Sequence, residues 1–363
     1  MRSRPLGEFD NILVRATNWV GDAVMSLPAL HAVRERFPKA RMTVLARPWV
    51  AGLYGREPFC DELIPYDAAK GWAGVRETRN IAADLCKRRF DCAILLPNSF
   101  ESALVPALAR VPVRIGYDRD FRRCLLSHPI PVPKPAETLR HQCFYYLELL
   151  RRSGVIASYD TNSHIRLDGA RAAAEEGRKR FRAASLLGPV VGVSPGAAYG
   201  GAKRWVPERF AQAATTVARE RKAAIAIFGS NQERDICECV QHAIEAAGRN
   251  CINFAGVTSI AEFVELVAAC EVYLTNDSGP MHIASALGVP TVAVFGATDH
   301  EATGPTGDHS RVVREQVECS PCLLRECPID HRCMTRVTAE RVAETALDLI
   351  AIGKHSGLAE EKR

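Results

Sequence analysis

Long apolar runs are what this sequence most clearly lacks. No uninterrupted apolar stretch approaches the roughly 20 residues that a membrane-spanning helix needs, so no transmembrane segment is expected. The N-terminal residues carry the acidic groups Glu8 and Asp10 ahead of any apolar run, so a signal peptide is not expected either. A basic stripe interleaved with aromatic residues is also missing, which argues against nucleic acid as a partner.

The glycine fingerprint of dinucleotide-binding proteins is absent as well. No strand is followed by the G-x-G-x-x-G spacing, which disfavours an NAD-dependent dehydrogenase. The turn SPGAAYGGAKRW, residues 194–205, has Gly196 and Gly201 at the spacing of a P-loop, but Ala202 stands where the P-loop lysine belongs. Nucleotide binding therefore has to be argued from other features.

The composition is that of a globular protein with more than one core. The chain has 363 residues, of which 47% are hydrophobic and 25% charged, so two domains are expected. Many of its 13 cysteines lie singly in apolar patterns, as reduced thiols do in cytoplasmic proteins. The net charge of +5 is a mild excess that suits acidic substrates or an anionic membrane face.

Short apolar runs alternate with helical patterns in both halves of the chain. This alternation predicts an α/β fold with parallel sheets covered by helices. Ile12–Ala16 is expected to form a buried strand, and one helix is expected from there to about Phe37. The expected organisation is a first Rossmann-like domain, a connector, a second Rossmann-like domain, and a C-terminal helix with its tail: 1–160, 161–188, 189–335 and 336–363.

Two turns at predicted strand ends are candidates for anion binding, because ligands of parallel sheets bind at the carboxyl ends of the strands. The glycine-rich turn 194–205 would let backbone N–H groups and Lys203 approach a phosphate, although a flexible loop with a solvated lysine explains it equally well. In TNDSGPMHIASALG, Asp277 or Ser278 suits a helix N-cap, which needs no ligand. Gly279 leaves room beside the backbone, and His282 lies where an anion would meet the helix.

Four further polar residues follow predicted strands and have structural explanations of their own. Each is equally well placed to cap or to begin a helix. Asn98 and Ser99 would suit sugar hydroxyls, and Glu233 would suit a ribose. Asp22, between an apolar strand and an apolar helix, is either a cap or the group that carries the chemistry.

A cysteine-rich segment, residues 318–334, has the spacing C-x2-C-x4-C-x5-C. Four thiolates in such a segment could hold zinc or an iron–sulfur cluster, yet the spacing matches neither paired zinc knuckles nor the common ferredoxin runs. Disulfides are a further alternative, disfavoured in a reducing compartment. Whether these cysteines bind a metal stays open at this point: Cys319, Cys322, Cys327 and Cys333.

Four segments in the same order resemble one family. NWVGDAVMSLPAL, LPNSFESALVPALARVPVRIGY, SPGAAYGGAKRW and TNDSGPMHIASALGVPTVAVFG are similar to the ADP-heptose:lipopolysaccharide heptosyltransferases, glycosyltransferase family 9. The resemblance covers about Ile12 to Phe295, most of the chain, and is strongest to the type II members. It implies a GT-B fold, in which two facing Rossmann-like domains hold the active site in the cleft between them.

The resemblance also implies roles for particular residues. Asp22 corresponds to the general base of the family, and Asn98 and Ser99 fall in a segment expected to face the acceptor. The donor nucleotide sugar is expected to be held by eight residues, of which Lys203 meets the diphosphate and Glu233 the ribose: Ser194, Gly196, Lys203, Glu233, Asp277, Ser278, Gly279 and His282. No metal ligand is expected, and Mg²⁺ is optional because lysine and backbone already meet the diphosphate.

The reaction that the resemblance implies is transfer of L-glycero-D-manno-heptose from ADP-heptose to heptosyl-Kdo2–lipid A, with inversion at the anomeric carbon. The enzyme is then expected in the cytoplasm, in transient contact with the inner membrane leaflet. Alternatives are a family member with another acceptor, such as the first Kdo or an outer-core sugar, a nucleotide-sugar epimerase, and a nucleotide-sugar binder without catalysis.

Overall fold

The computed structural model describes residues 7–67, 71–162 and 164–360. The chain divides into two compact units, Met1–His164 and Ile165–Arg363. Each unit contains one sheet of six parallel strands. The α/β architecture with two parallel sheets that the alternating pattern predicts is therefore confirmed.

The first unit alternates strands and helices from its first strand onward. Its strands are β1 (Asn11–Arg15), β2 (Arg41–Ala46), β3 (Glu62–Pro65), β4 (Cys92–Leu95), β5 (Val113–Tyr117) and β6 (His128–Ile130). Its helices are α1 (Val20–Met25), α2 (Leu27–Arg36), α3 (Pro48–Ala51), α4 (Gly71–Lys87), α5 (Phe100–Leu108) and α6 (Gln142–Ser153).

Strand β1 lies in the interior of the first sheet. The spatial order is β3-β2-β1-β4-β5-β6, so the order reverses between β1 and β4. Ile12, Leu13 and Val14 are completely buried because helices cover both faces of the sheet at this point. The reversal leaves a crevice beyond the carboxyl ends of β1 and β4, which is where open α/β sheets bind ligands.

The prediction of a single helix after β1 is wrong, because two helices, α1 and α2, follow this strand. Helix α1 ends at Met25 and α2 begins at Leu27, with Ser26 between them. Pro28 is the second residue of α2 and has no N–H, so it could not donate to the carbonyl of Val24 in a continuous helix. The proline therefore explains the break in the helical hydrogen bonding.

The second unit repeats the same plan. Its strands are β7 (Val190–Ser194), β8 (Ala224–Ile227), β9 (Cys251–Asn253), β10 (Val272–Asn276), β11 (Thr291–Phe295) and β12 (Ser310–Arg314). Its helices are α7 (Ala170–Ala183), α8 (Pro207–Arg221), α9 (Arg234–Ala246), α10 (Ile260–Ala268), α11 (Gly279–Ala286), α12 (His300–Thr303), α13 (Arg332–Thr335) and α14 (Ala339–Glu360).

The second sheet has the order β12-β11-β10-β7-β8-β9. Counted from its own first strand, this is the same order as in the first sheet, and the reversal falls between β7 and β10. The large apolar core on one face of this sheet includes Trp205 and Phe210, whose rings meet edge to face with centroids 4.8 Å apart. The turns after β7 and β10 therefore face the ligand-binding crevice expected for this topology.

Helix α7 belongs to the second compact unit and packs closely against α10. It lies within residues 161–188, where the sequence predicts a connector. Gly177 makes the close packing possible, because a Cβ atom there would lie 1.9 Å from the carbonyl oxygen of Glu265. An ion pair at the surface also joins the helices, between Arg180 Nη1 and Glu262 Oε1 at 2.9 Å.

All thirteen cysteines lie among the described residues and all are free thiols. Burial raises the pKa of several of them, as for Cys143, whose pKa is about 12. Such buried thiols are inert packing groups. Among the residues that the structure describes, no helix combines the length and the apolar character needed to cross a bilayer.

Replacing Gly177 with alanine should lower the free energy of unfolding by about 2 kcal/mol, because the added methyl group forces α7 away from α10. An ordinary helix would gain about 1 kcal/mol from the same substitution, so the sign of the change is diagnostic. Urea denaturation measures the effect. The control is Gly55→Ala, where nothing lies within 4 Å of the added atom; equal stabilities of the two variants would contradict the packing account.

Candidate functional site

Asp22 lies beyond the carboxyl end of β1, at the strand-order reversal of the first unit. Trp19 occupies the N-cap position of α1, so Asp22 is the third residue of the helix and not its cap. Its Oδ1 atom accepts a hydrogen bond of 3.1 Å from the hydroxyl of Tyr146, a buried residue of α6. Burial and the neighbouring carboxylate hold the pKa of Tyr146 well above its usual value. The phenol therefore keeps its proton and fixes the orientation of the carboxylate.

Arg15 stabilises the segment between β1 and α1, the helix that carries Asp22. This residue is completely buried at the end of β1, and burial lowers the pKa of its guanidinium. It donates to the carbonyl of Ala16 at 2.7 Å and to Asn18 Oδ1 at 2.9 Å, and its Nη2 lies 3.8 Å from Glu101 Oε2. Arg15 thus links the backbone at Ala16 to the side chains of Asn18 and Glu101.

Asn98 and Ser99 follow β4, the strand beside β1, so the topology brings them to the same edge as Asp22. Asn98 Nδ2 donates to the hydroxyl of Tyr145 at 2.9 Å. Ser99 is the N-cap of α5, and its hydroxyl accepts from the N–H of Ser102 at 3.3 Å. The side chain of Ser99 therefore has a capping role in this structure. Asn98 is linked to Asp22 only indirectly, because the ring of its partner Tyr145 lies 5.8 Å from that of Tyr146, which donates to Asp22.

Arg122 is a buried residue that sequence reasoning did not identify. Its Nε donates to the carbonyl of Tyr117 at 3.0 Å, and its Nη1 donates to Ser102 Oγ at 2.8 Å and contacts the carbonyl of Pro97. Burial lowers its pKa to about 10. Gly116 leaves the space that the guanidinium occupies, since a Cβ there would lie 3.0 Å from Nη2. Arg122 therefore ties together the loops that follow β4 and β5.

In the second unit, two of the predicted donor residues form one ion pair. Lys203 Nζ lies 2.6 Å from Asp277 Oδ2, and both side chains are largely shielded from solvent. The hydroxyl of Thr298 also donates to this carboxylate oxygen. Lys203 Nζ lies in addition 4.9 Å from the ring centroid of Tyr199, a cation–π contact. The lysine is thus held at a defined position, and an incoming phosphate would share it with Asp277.

Asn276, at the end of β10, holds both ends of the glycine-rich turn. Its Oδ1 accepts from the N–H of Trp205 at 2.9 Å, and its Nδ2 donates to the carbonyl of Pro195 at 2.7 Å and faces that of Gly196 at 3.4 Å. The side chain is completely buried. One amide therefore couples the turn after β7 to the turn after β10, a contact between residues about 70 to 80 positions apart.

Helix α11 begins at Gly279, with Ser278 as its N-cap residue in extended conformation. Ser278 Oγ donates to the carbonyl of Asn276 at 3.3 Å. His282 is buried in the first turn of the helix. Pro280 has no N–H in this turn, and the N–H of Met281 donates to the carbonyl of Ser278 at 3.1 Å. The dipole of the helix favours an anion at this end.

Ser194, Gly196 and Glu233 lie around the start of the glycine-rich turn. The hydroxyl of Ser194 is buried and lies 2.6 Å from that of Tyr273, so it serves packing inside the unit. Glu233 Oε2 accepts from the N–H and the hydroxyl of Ser230, at 2.8 and 2.7 Å. Glu233 Oε1 lies close to Gly196, since a Cβ atom added at residue 196 would lie 2.1 Å from this oxygen. A glycine at 196 is therefore required for this approach.

The cysteine-rich segment, residues 318–334, packs onto the glycine-rich turn. Glu326 Oε1 accepts from the N–H of Gly201 at 2.9 Å, and the carbonyl of Arg325 accepts from the N–H of Ala202 at 2.9 Å. The Tyr199 hydroxyl donates to the carbonyl of Leu323 at 2.9 Å. The segment thus supports the turn that presents Lys203, a function that its spacing did not suggest.

The four cysteines of this segment are not arranged to ligate one metal ion in this structure. Burial and the neighbouring thiols of the other three raise the pKa of Cys333, so the four thiols lie in one neighbourhood. Among the described residues, however, no three of their sulfur atoms lie within 4.8 Å of one another. The cysteine-rich segment contacts the glycine-rich turn through Leu323, Arg325 and Glu326.

Comparison with known proteins gives consistent similarities. The model of glycosyltransferase family 9 (heptosyltransferase) matches residues 78–332. The lipopolysaccharide heptosyltransferase 2 of Salmonella typhimurium is 33% identical over 84% of this chain and 87% of its own length. The lipooligosaccharide heptosyltransferase 2 of Haemophilus influenzae is 30% identical over 94% and 99%. The structure of Escherichia coli ADP-heptose LPS heptosyltransferase II superposes with a TM-score of 0.80 at 30% identity, covering 95% and 99%.

Replacing Asn276 with aspartate should lower the free energy of unfolding by about 3 kcal/mol, because it loses the donor to Pro195 and buries an uncompensated charge. Chemical denaturation measures the change. Asn231→Asp is the matched control, since Asn231 is exposed on the surface of the same unit and should tolerate the charge. If the free energy of unfolding changes little in both variants, the Asn276 amide does not hold the glycine-rich turn.

Proposed function

The chain belongs to glycosyltransferase family 9, the heptosyltransferase family, and on that premise we propose that it moves L-glycero-D-manno-heptose from ADP-heptose to heptosyl-Kdo2–lipid A. The chain is a glycosyltransferase of GT-B-like fold. The observation that supports the proposal most is the placement of its polar side chains at the two strand-order reversals. Asp22 lies at the reversal of the first sheet, and Lys203 with Asp277 at that of the second.

In the proposed reaction, Asp22 acts as the general base. The acceptor hydroxyl oxygen forms a bond to the anomeric carbon, its proton goes to Asp22, and the bond from that carbon to ADP breaks, with the electron pair leaving on the diphosphate. A single displacement of this kind inverts the anomeric centre. The Tyr146 hydroxyl keeps the carboxylate oriented, and the N-terminal turn of α1 favours its ionised form.

The leaving ADP gains negative charge in the transition state, and the second unit supplies the compensation. Lys203 and the N-terminus of α11 are held in place before the substrate arrives, which is the condition for effective electrostatic stabilisation. Ser278, Gly279 and His282 complete this edge of the site, and Glu233 is assigned to the ribose. Because lysine and backbone meet the diphosphate, the proposal requires no metal ion.

The partners of the proposed reaction also suggest where it takes place. The donor is a nucleotide sugar and the acceptor is anchored in a membrane, so we assign the protein to the cytoplasmic face of the inner membrane, in transient contact with its leaflet. The net charge of +5 would favour that contact.

The decisive assay measures ADP release from ADP-heptose with and without heptosyl-Kdo2–lipid A. Asp22→Asn keeps the shape of the side chain and its hydrogen bond to Tyr146 but removes the base, so turnover should fall about 1000-fold. Affinity for ADP-heptose should stay near that of the wild type. Asp84→Asn, on the exposed surface of α4, is the control. Release that is independent of acceptor would indicate hydrolysis and contradict the proposal, and normal turnover of Asp22→Asn would remove this residue from the mechanism.

Binding of ADP and of adenosine to Lys203→Met tests the donor site. Loss of the charged hydrogen bond to the diphosphate should weaken ADP binding by about 2 kcal/mol, close to 30-fold. Adenosine has no phosphate, so its affinity should not change. Lys179→Met, which removes an exposed lysine of α7, is the control. Equal losses for ADP and adenosine would indicate a structural effect, and no loss for either would refute the assignment of Lys203.

A further inference from the structure

Lys203 does not bring a full positive charge to the candidate donor site. Its Nζ lies 2.6 Å from Asp277 Oδ2, and solvent reaches only 14% and 4% of the two side chains. Opposite charges that are this close and this well shielded largely cancel each other at the distance of a ligand. A nucleoside diphosphate is an anion at both phosphates, so binding one beside this neutral pair calls for a further cation.

A second cation, Arg325, shares one aromatic ring with Lys203. The Lys203 Nζ and the Arg325 Cζ lie 4.9 and 5.4 Å from the centroid of the Tyr199 ring. Cation–π attraction holds a charged group beside a ring without using up its capacity to donate hydrogen bonds. The Tyr199 hydroxyl donates to the carbonyl of Leu323 at 2.9 Å, which ties the ring to the cysteine-rich segment. This segment therefore brings a positive charge to the glycine-rich turn.

The backbone of Arg325 is fixed to the same turn. The N–H of Ala202, the residue directly before Lys203, donates to the Arg325 carbonyl at 2.9 Å. Gly200 permits this approach, because a Cβ atom there would lie 2.3 Å from the same carbonyl oxygen. The position of Arg325 relative to Lys203 is therefore defined by backbone contacts as well as by the shared ring.

The Arg325 side chain is exposed and available to a ligand. Within the described part of the chain, no carboxylate forms an ion pair with its guanidinium, in contrast to Lys203. The adjacent acid, Glu326, is turned toward the backbone, since its Oε1 accepts from the N–H of Gly201 at 2.9 Å. A guanidinium offers a planar fork of N–H donors that matches the oxygens of a phosphate. Arg325 can therefore supply the positive charge that the ion pair of Lys203 lacks.

We propose that Arg325 is a second diphosphate-binding residue of the donor site, contributed by the cysteine-rich segment and held in place by Tyr199. The inference rests on the proposed function, which makes a nucleoside diphosphate sugar the donor. The guanidinium binds phosphate oxygens of the donor and opposes the negative charge that gathers on the leaving ADP. The cysteine-rich segment thus takes a direct part in donor binding, in addition to supporting the glycine-rich turn.

Binding of ADP and of adenosine to Arg325→Met, measured by isothermal titration calorimetry, tests the proposal. Methionine keeps part of the length of the side chain and removes the guanidinium, so the affinity for ADP should fall about tenfold. Adenosine lacks the phosphates and should bind as tightly as it binds the wild type. The control is Arg336→Met, which removes an exposed arginine at the C-terminal end of α13 in the same unit and should leave both affinities unchanged.

Three results of this titration would overturn the inference. The first is an unchanged affinity of Arg325→Met for ADP. The second is an equal loss of affinity for ADP and adenosine, because the arginine would then only support the shape of the turn. The third is an equal loss of ADP affinity in Arg336→Met, because the effect would then come from the net charge of the unit and not from one guanidinium.

Turnover separates this inference from the proposed function. Arg325→Met should raise the KM for ADP-heptose about tenfold and leave the KM for the acceptor unchanged. A loss of ADP affinity specific to Arg325→Met, in a protein that transfers no heptose to heptosyl-Kdo2–lipid A, would support Arg325 as a diphosphate ligand and refute the proposed function alone. Transfer by Arg325→Met with the KM of the wild type for ADP-heptose would overturn the inference and leave the proposed function standing.

Discussion

The reversal of strand order within each sheet is the constraint on which both candidate sites depend. In the first sheet it falls between β1 and β4, and in the second between β7 and β10. At such a point the connections leave the sheet in opposite directions, so the turns beyond the strand ends are not covered by a helix. Asp22 and Asn98 come from the two turns of the first reversal. Lys203 and Asp277 come from the two turns of the second.

Topology brings these turns to one edge, and buried polar side chains then determine their shape. Arg122 in the first unit binds the carbonyl groups of Tyr117 and Pro97, at the ends of two strands. Asn276 in the second unit binds backbone groups at both ends of the glycine-rich turn. A buried group of this kind is expensive to place without all its partners, so it selects one loop conformation strongly. The loops of the candidate sites therefore have defined shapes. The ion pair of Lys203 with Asp277 joins two of these loops in the second unit.

The sequence allowed the fold class, the family and the general position of the candidate sites to be predicted. Apolar runs define parallel strands well, as for the strand expected at Ile12–Ala16, which the structure contains as β1, Asn11–Arg15. The family and the glycosyltransferase class are confirmed by the comparisons. The break at Ser26 was not predicted, since the apolar pattern continues across it and only the missing N–H of Pro28 interrupts the hydrogen bonding.

What the sequence could not reveal are contacts between distant positions. The role of Asn276 depends on residues about 70 to 80 positions away, and no local pattern distinguishes it from another asparagine at a strand end. The same holds for Arg122 and for the support of the glycine-rich turn by Glu326. The roles of Asp22, Lys203 and the other site residues in catalysis and binding remain predictions that the experiments above address.

In the reaction that we propose, a single carboxylate, oriented by Tyr146, removes a proton while the sugar moves in one displacement. The configuration of the new glycosidic bond tests it most directly. NMR of the anomeric proton and carbon in the purified product, compared with those of ADP-heptose, should show the opposite configuration. Retention of configuration would exclude a single in-line displacement and would contradict the account.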